Sequence, residues 1–287
     1  MKTLKIIACL LFFIFVWGTV YSDSPLKQKN EKQKKQAPVD GPYVLYGEEG
    51  DMRVIWVDEQ GKIQDSTYRD VPEDFELNVV SHKGNHHFQV KLHPVERPLW
   101  KSEQREKTLI ISDPHGDLES FVSVLRNNGV IGKNYKWKFG KNQVIIIGDV
   151  FDRGKDVLPI FWLIYKLEQE AKDAGGVMTF MLGNHEEMVL RGNLKYTRSK
   201  YKDLATSLGM EYVDLWHEKS ELGRWLRSRN LIQVVGKNLF VHAGLSKEFT
   251  GMDNAVTGVN EETAKSIFLS KKERQELSAL SDYPSSG

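Results

Sequence analysis

Cysteine is almost missing from this 287-residue chain, which has Cys9 and no other. Disulfide scaffolds, thiolate metal sites and cysteine-nucleophile mechanisms are therefore excluded for the rest of the sequence. An excess of charge of either sign is missing too, since 40 Lys and Arg face 39 Asp and Glu for a net of +1. That balance argues against a dedicated binder of nucleic acid or of a membrane surface. No internal repeat of 20 to 50 residues points to a solenoid. What is present, at 40% hydrophobic and 28% charged residues, is globular material for one sizeable domain plus an appendage. Any chemistry falls to His, Asp, Asn, Glu and Arg.

Lys2 and Lys5 precede an apolar run from Ile6 to Val20, followed by Tyr21 and Ser22. This is the pattern of a signal peptide, residues 1–22, with cleavage expected after Ser22. The run is about 15 residues, short of the roughly 20 that span a bilayer. Membrane attachment is expected only if the segment stays uncleaved. A cysteine-free remainder suits an oxidising compartment, so a periplasmic or secreted protein is expected. Residues 23–40, with Lys27, Lys29, Lys32, Lys34 and Lys35 among Gln and Asn, read as a solvated linker.

From residue 41 to 103 short apolar stretches alternate with turn signals, as in Glu48-Glu49-Gly50-Asp51, Glu59-Gln60-Gly61-Lys62 and Lys83-Gly84-Asn85. Phe88, Val90 and Leu92 alternate with polar neighbours, the period of a half-buried strand. A small β-rich module is expected there. His86 and His87 are adjacent and would point to opposite faces of a strand, so with His93 they read as packing or exposed histidines and not as a metal site. The second part, 104–287, alternates strand and helix signals and reads as α/β. Thr108–Ile111, Val144–Ile147, Val177–Leu182 and Leu239–Val241 read as buried strands. Leu118, Phe121, Val122 and Leu125, and later Val157, Ile160, Phe161, Ile164 and Leu167, mark helical faces.

Each of those four strands runs at once into polar ligand-type residues: Asp113-Pro-His115-Gly-Asp117, Asp149-Val-Phe-Asp152-Arg153-Gly154, Asn184-His185-Glu186, and His242-Ala-Gly244. Ligands converge at the carboxyl ends of strands in α/β sheets. One such cluster could be an ordinary turn, because Asp, Asn and Gly are common there. Four at four successive strand exits, three of them with His, ask for a function.

Taken together these blocks resemble the calcineurin-like metallophosphoesterases of the phosphoprotein phosphatase type, with Ser112 where the family usually has Gly. Gly183 to Met188 running into Gly192-Asn193-Leu194-Lys195-Tyr196, and Gly223-Arg224-Trp225-Leu226-Arg227 ahead of His242, are similar to the Shewanella-like branch. The resemblance implies a metallophosphoesterase αββα sandwich and two divalent or trivalent metal ions, Mn, Fe or Zn. It implies that Asp113 and His115 hold one metal, that Asp149 bridges both, and that Asn184 and His242 hold the second. A metal-bridging water would attack phosphorus in line. His185 would protonate the leaving group with Asp152 orienting it. Arg153 would grip the phosphate as a planar fork, with Asn184 and Arg224 as further substrate contacts. Asp117 and Glu186 read as supporting or helix-start acids. Arg191 and Arg227 are further arginine candidates.

One departure follows from the histidine count: the eight end at His242, so the family's final second-metal His has no counterpart after it, and His217 falls out of order. The expectation is a domain incomplete at its C-terminus. The activity implied is hydrolysis of phosphorylated Ser/Thr or Tyr side chains. Its rivals are a hydrolase of small phosphoesters or dinucleoside polyphosphates, and a non-catalytic binding protein with a degraded metal site.

Overall fold

In the computed structural model, residues 37–251 and 255–267 are described, together with Leu269, Lys272, Glu273 and Glu276. The expected signal peptide, 1–22, and most of the expected linker, 23–40, lie outside the described residues. The strand β1 (Asp40–Tyr46) pairs antiparallel with β2 (Met52–Val57), and β2 pairs with β3 (Ile63–Tyr68). A second hairpin joins β4 (Glu76–Val80) to β5 (His87–Lys91). The turn signals at residues 48–51, 59–62 and 83–85 fall between these strands. Alternation does its usual work, burying Phe88 and Val90 while His87, Gln89 and Lys91 stay exposed.

The next strands are β6 (Lys101–Ser102) and β7 (Thr108–Ser112), followed by α1 (Leu118–Asn127), β8 (Gln143–Ile147), α2 (Val157–Asp173) and β9 (Val177–Met181). Strands β7, β8 and β9 form a parallel sheet in that order, with Ile145 opposite both Ile110 and Thr179. A parallel strand is covered on both faces, and β8 is accordingly the near-continuous run Gln-Val-Ile-Ile-Ile. Val144 and Ile146 join the large core, and Ile145 the small one behind it. Beyond β9 come α3 (Asn184–Leu190), α4 (Ser199–Ser207), a 3-10 turn at Tyr212–Trp216, α5 (Glu221–Arg227), β10 (Ile232–Val235), β11 (Asn238–Val241) and α6 (Ala255–Ser266). The second sheet runs β11-β10-β6. Ile145, Met181 and Val235 are buried between the two sheets, flanked by Ile147 and Phe240.

Helix α2 is apolar on every side from Val157 to Tyr165, the composition of a helix surrounded by protein. Its residues share one continuous core with Tyr43, Val44, Ile55, Leu77 and Val90. Trp162 Nε1 donates to Pro42 O at 2.9 Å, and His93 N donates to the Tyr165 hydroxyl at 2.9 Å. The stretch 41–103 is thus packed into the same body as the second half and does not stand apart as a module. The expected linker also ends early: Ala37 packs on the core, and Asp40 is buried beside Lys200 at 3.2 Å.

Two of the expected buried strands are only half-covered. In β7, Ile110 is 49% exposed, and in β11 Leu239 is 43% exposed. Both strands lie at sheet edges and line a groove of about 400 Å³ with Gln104, Thr108, Val235, Asn238 and Phe240. Apolar composition makes a strand; its place in the sheet decides how much of it is covered.

Candidate metal centre and active site

The four polar clusters all sit where a strand stops. Asp113 and His115 follow β7, Asp149 and Asp152 follow β8, Asn184 and His185 open α3 after β9, and His242 follows β11. The first two loops are stitched to each other, Asp113 N donating to Gly148 O at 3.3 Å and His115 N to Asp149 O at 2.9 Å. Turning the chain back this sharply places Asp113, His115, Asp149, Asp152 and Arg153 at φ values of 40° to 69°. Left-handed backbone at a non-glycine residue costs of order 1–3 kcal/mol and persists where the surroundings enforce it.

Glu186 supplies much of that enforcement. Its carboxylate is fully buried and accepts from four main-chain amides: Gly183 N and Asp149 N at 2.8 Å on one oxygen, Val150 N at 2.9 Å and Phe151 N at 3.2 Å on the other. Burial above all, and then the Asp149 charge, push this carboxyl above its usual range. Gly183 is needed for a different reason, because a Cβ there would lie 2.2 Å from Asp149 Oδ1.

Asp149 Oδ2 is the focus of the site. Its other oxygen, Oδ1, takes the His185 amide at 3.0 Å. Around Oδ2 stand His242 Nε2 at 3.2 Å, His115 Nε2 at 3.7 Å and His185 Nε2 at 4.0 Å. Two groups result, Asp113–Asp149–His242 and His115–Asp149–His185, each with its ligand atoms within 4.8 Å of one another and with Asp149 common to both. Asn184 Oδ1 joins the first group, 3.0 Å from His242 Nε2. Asp113 Oδ1 lies 3.8 Å from His242 Nδ1, and His185 stands in the second group beside the expected ligand His115.

The imidazoles are oriented for a cation. His115 Nδ1 is 2.8 Å from Phe151 O, and His242 Nδ1 is 2.8 Å from Ile147 O. A carbonyl only accepts, so each Nδ1 carries a proton, and each Nε2, turned toward Asp149, is the atom that a neutral ring offers to a cation. With a neutral ring, His242 Nε2, Asn184 Oδ1 and Asp149 Oδ2 stand together as the donor set of a cation site. The residues fit the implied metals, and their oxygen and imidazole donors suit Mn, Fe or Zn.

His185 is 4% exposed, and its Nδ1 lies 2.7 Å from Asp152 Oδ2. Asp152, also buried, takes the Thr197 hydroxyl on its other oxygen at 2.6 Å. The carboxylate is pinned on one side and orients the imidazole on the other. Arg153 is exposed, and among the described residues its guanidinium has no acidic partner; its Cζ lies 6.0 Å from the centre of the Tyr196 ring. Thr197 carries no sequence signal, because its role depends on a loop that returns to Asp152 from 45 residues away.

Other expected residues are placed differently. Arg224 bonds the buried Glu221 and covers the Tyr46 ring at 4.4 Å, tying α5 to β1. Arg191 pairs with Glu187, and Arg227 with Glu218. Asp117 caps α1, accepting from Ser120 N at 3.1 Å. His217 is exposed after the 3-10 turn and belongs to neither ligand group. His86 bonds Tyr135 and Glu119, and His93 stacks on Tyr165.

A family model for calcineurin-like phosphoesterases matches residues 106–286, which includes every residue of the cluster. The chain belongs to that family. Among its relatives, the calcineurin-like chain is 34% identical over 126 residues to Shewanella-like protein phosphatase 2 of Arabidopsis thaliana, covering 44% of this chain and 30% of that protein. It is 38% identical over 143 residues to Shewanella-like protein phosphatase 1 of Plasmodium berghei, covering 49% of this chain and 39% of the other. The cold-active protein-tyrosine phosphatase of a psychrophilic Shewanella species superposes with a TM-score of 0.75 at 28% identity, over 84% of this chain and 72% of that one. The chain spans under half the length of these two curated relatives.

Proposed function

We propose that this protein is a metal-dependent phosphomonoesterase acting on phosphorylated Ser/Thr or Tyr side chains. One observation carries the reading: Asp149 Oδ2 stands between two ligand groups, with the buried His185–Asp152 pair 4.0 Å from it at His185 Nε2. When bound, a pair of cations would supply charge to hold the phosphoryl oxygens and to activate a water. Asp113, Asp149, Asn184, His115 and His242 are the residues that would hold them.

The rest of the reaction falls to side chains of the protein. Arg153, exposed at the rim, offers two parallel N–H donors to phosphate oxygens. His185 gives a proton from Nε2 to the departing oxygen, while Asp152 holds the ring through Nδ1. The buried Thr197–Asp152 bond keeps that carboxylate from turning away. No covalent intermediate is required.

The test is hydrolysis of phosphoserine and phosphotyrosine peptides, with a dinucleoside tetraphosphate and a simple alkyl phosphate alongside, in buffer containing manganese. Release of phosphate from the peptides is expected. Turnover of the dinucleotide alone would favour a metabolite hydrolase, and metal binding without turnover of any substrate would favour a binding protein. Export is part of the proposal and rests on residues 1–22; the mature protein is expected to begin at Asp23, and a mass retaining residues 1–22 would favour an anchor.

A further inference from the structure

Charge is balanced over the whole chain but not along one stretch of it: positions 188 to 202 hold five Lys and Arg and no Asp or Glu. Two of the five are answered elsewhere. Arg191 pairs with Glu187, and the buried Lys200 lies 3.2 Å from Asp40 and donates to Val39 O and Lys155 O. Lys195, Arg198 and Lys202 are exposed and, among the described residues, have no acidic partner. Local structure does not ask for these charges. Helix α4 starts with Arg198 as its cap residue, no capping side-chain bond and no acid in its first turn. A helix start carries a partial positive charge, where an acid stabilises and a cation does not. Arg198 and Lys202 stand against that field, so the folding of α4 does not account for them.

The loop ahead of α4 sets two of the cations at the rim of the site. Arg198 Nε donates to Arg153 O, and Arg153 N donates to Tyr196 O at 3.3 Å. Lys195 Nζ and Arg153 Cζ lie 5.0 Å and 6.0 Å from the centre of the Tyr196 ring, which packs on the His185 ring at 5.4 Å. Arg153 is the phosphate fork of the proposed reaction, and neither Lys195 nor Arg198 is needed for the proton transfer beside it. A phosphorylated side chain gripped by Arg153 brings its neighbours in the peptide to this rim. We infer that Lys195 and Arg198 form a docking rim for acidic residues next to the phosphorylated side chain, so that the site favours phosphopeptides with flanking Asp or Glu. The inference deepens the phosphatase reading and rests on it for the place of the phosphate. A nucleic acid is the poorer match, because the Tyr196 ring on which a base would stack already packs on His185 and carries Lys195.

Phosphotyrosine peptides of one sequence, flanked on both sides by Glu or by Gln, test it in the full chain with manganese present. In kcat/KM the wild type is expected to prefer the Glu peptide by about three- to tenfold at low salt, the sum of a few exposed pairs that are each weak. At about 1 M salt, where screening acts within about 3 Å, that ratio should approach one. Lys195→Arg keeps the low-salt preference, and Lys195→Glu brings it to about one or below. Reading a ratio makes the result independent of how much active protein each variant yields. If Lys195→Glu lowers both peptides by the same factor, Lys195 acts on the phosphate or on the fold and the rim is refuted. A wild type that does not distinguish the two peptides refutes it as well. So does a single-stranded oligonucleotide that displaces the Glu peptide at lower concentration than a Glu-rich peptide without phosphate, since the patch would then belong to nucleic acid. Absence of hydrolysis on every substrate would overturn the phosphatase reading, and the Glu-to-Gln affinity ratio of the same peptides carrying a non-hydrolysable phosphonate would still decide the rim.

Discussion

Glu186→Gln perturbs the site without adding or removing a heavy atom, and the structure sets the size of the effect. In the wild type one carboxylate oxygen accepts from Asp149 and Gly183 and the other from Val150 and Phe151. An amide can keep one of these pairs; its NH₂ group must face the other two N–H donors. Two buried amides are then left without an acceptor, at about 1–3 kcal/mol each, so a loss of about 2–4 kcal/mol is expected after relaxation. For a protein of this size that is about 5–15 °C in the unfolding midpoint. Because the orphaned pair includes or adjoins Asp149, metal affinity should fall by about 10–100-fold, as for other residues that orient a ligand. Thermal unfolding of the metal-free protein gives the first quantity and a manganese titration the second. A variant that melts within about 2 °C of the wild type and binds manganese equally well would show that Glu186 does not hold the Asp149 turn.

His185→Asn should slow hydrolysis of alkyl phosphates by about 10²–10⁴ while leaving metal content unchanged, and aryl phosphates with good leaving groups should lose less. Equal loss on both would assign His185 to phosphate positioning. His82 is held below its usual imidazole value, first by burial and then by the charges of Lys200 and Lys155. A depressed folded value contributes stability present above the unfolded value of about 6.5 and lost as pH falls through the folded one. Unfolding midpoints should therefore decline below about pH 6.5 in the wild type, and less steeply in His82→Gln; parallel curves would discard this assignment.

The residues at the strand exits were legible because short apolar runs ending in Asp, Asn and His carry their own signal. β8 and α2 were legible for the same reason, one by its unbroken apolar run and the other by its period. The work of Glu186 was not: a buried carboxylate serving main-chain amides some 35 residues away leaves no pattern in sequence. Tyr196 and Thr197 lie between α3 and α4, where no periodicity operates, and their positions are set by Asp152 and Arg153. The contacts of Arg224 were hidden as well, because a sequence shows a cation but not its partners, Glu221 and the distant Tyr46. The fusion of β1–β5 with the second half was hidden likewise, since Trp162 meets Pro42 across 120 residues.

Asp149 is the residue on which the whole account turns, because it alone belongs to both ligand groups. Metal bound per chain and phosphate released from a phosphotyrosine peptide should be measured on the same samples of wild type and Asp149→Asn. A neutral amide holds cations more weakly than a shared carboxylate, so metal content and hydrolysis are expected to fall together. Wild-type metal content with undiminished hydrolysis in Asp149→Asn would contradict a centre built on that oxygen.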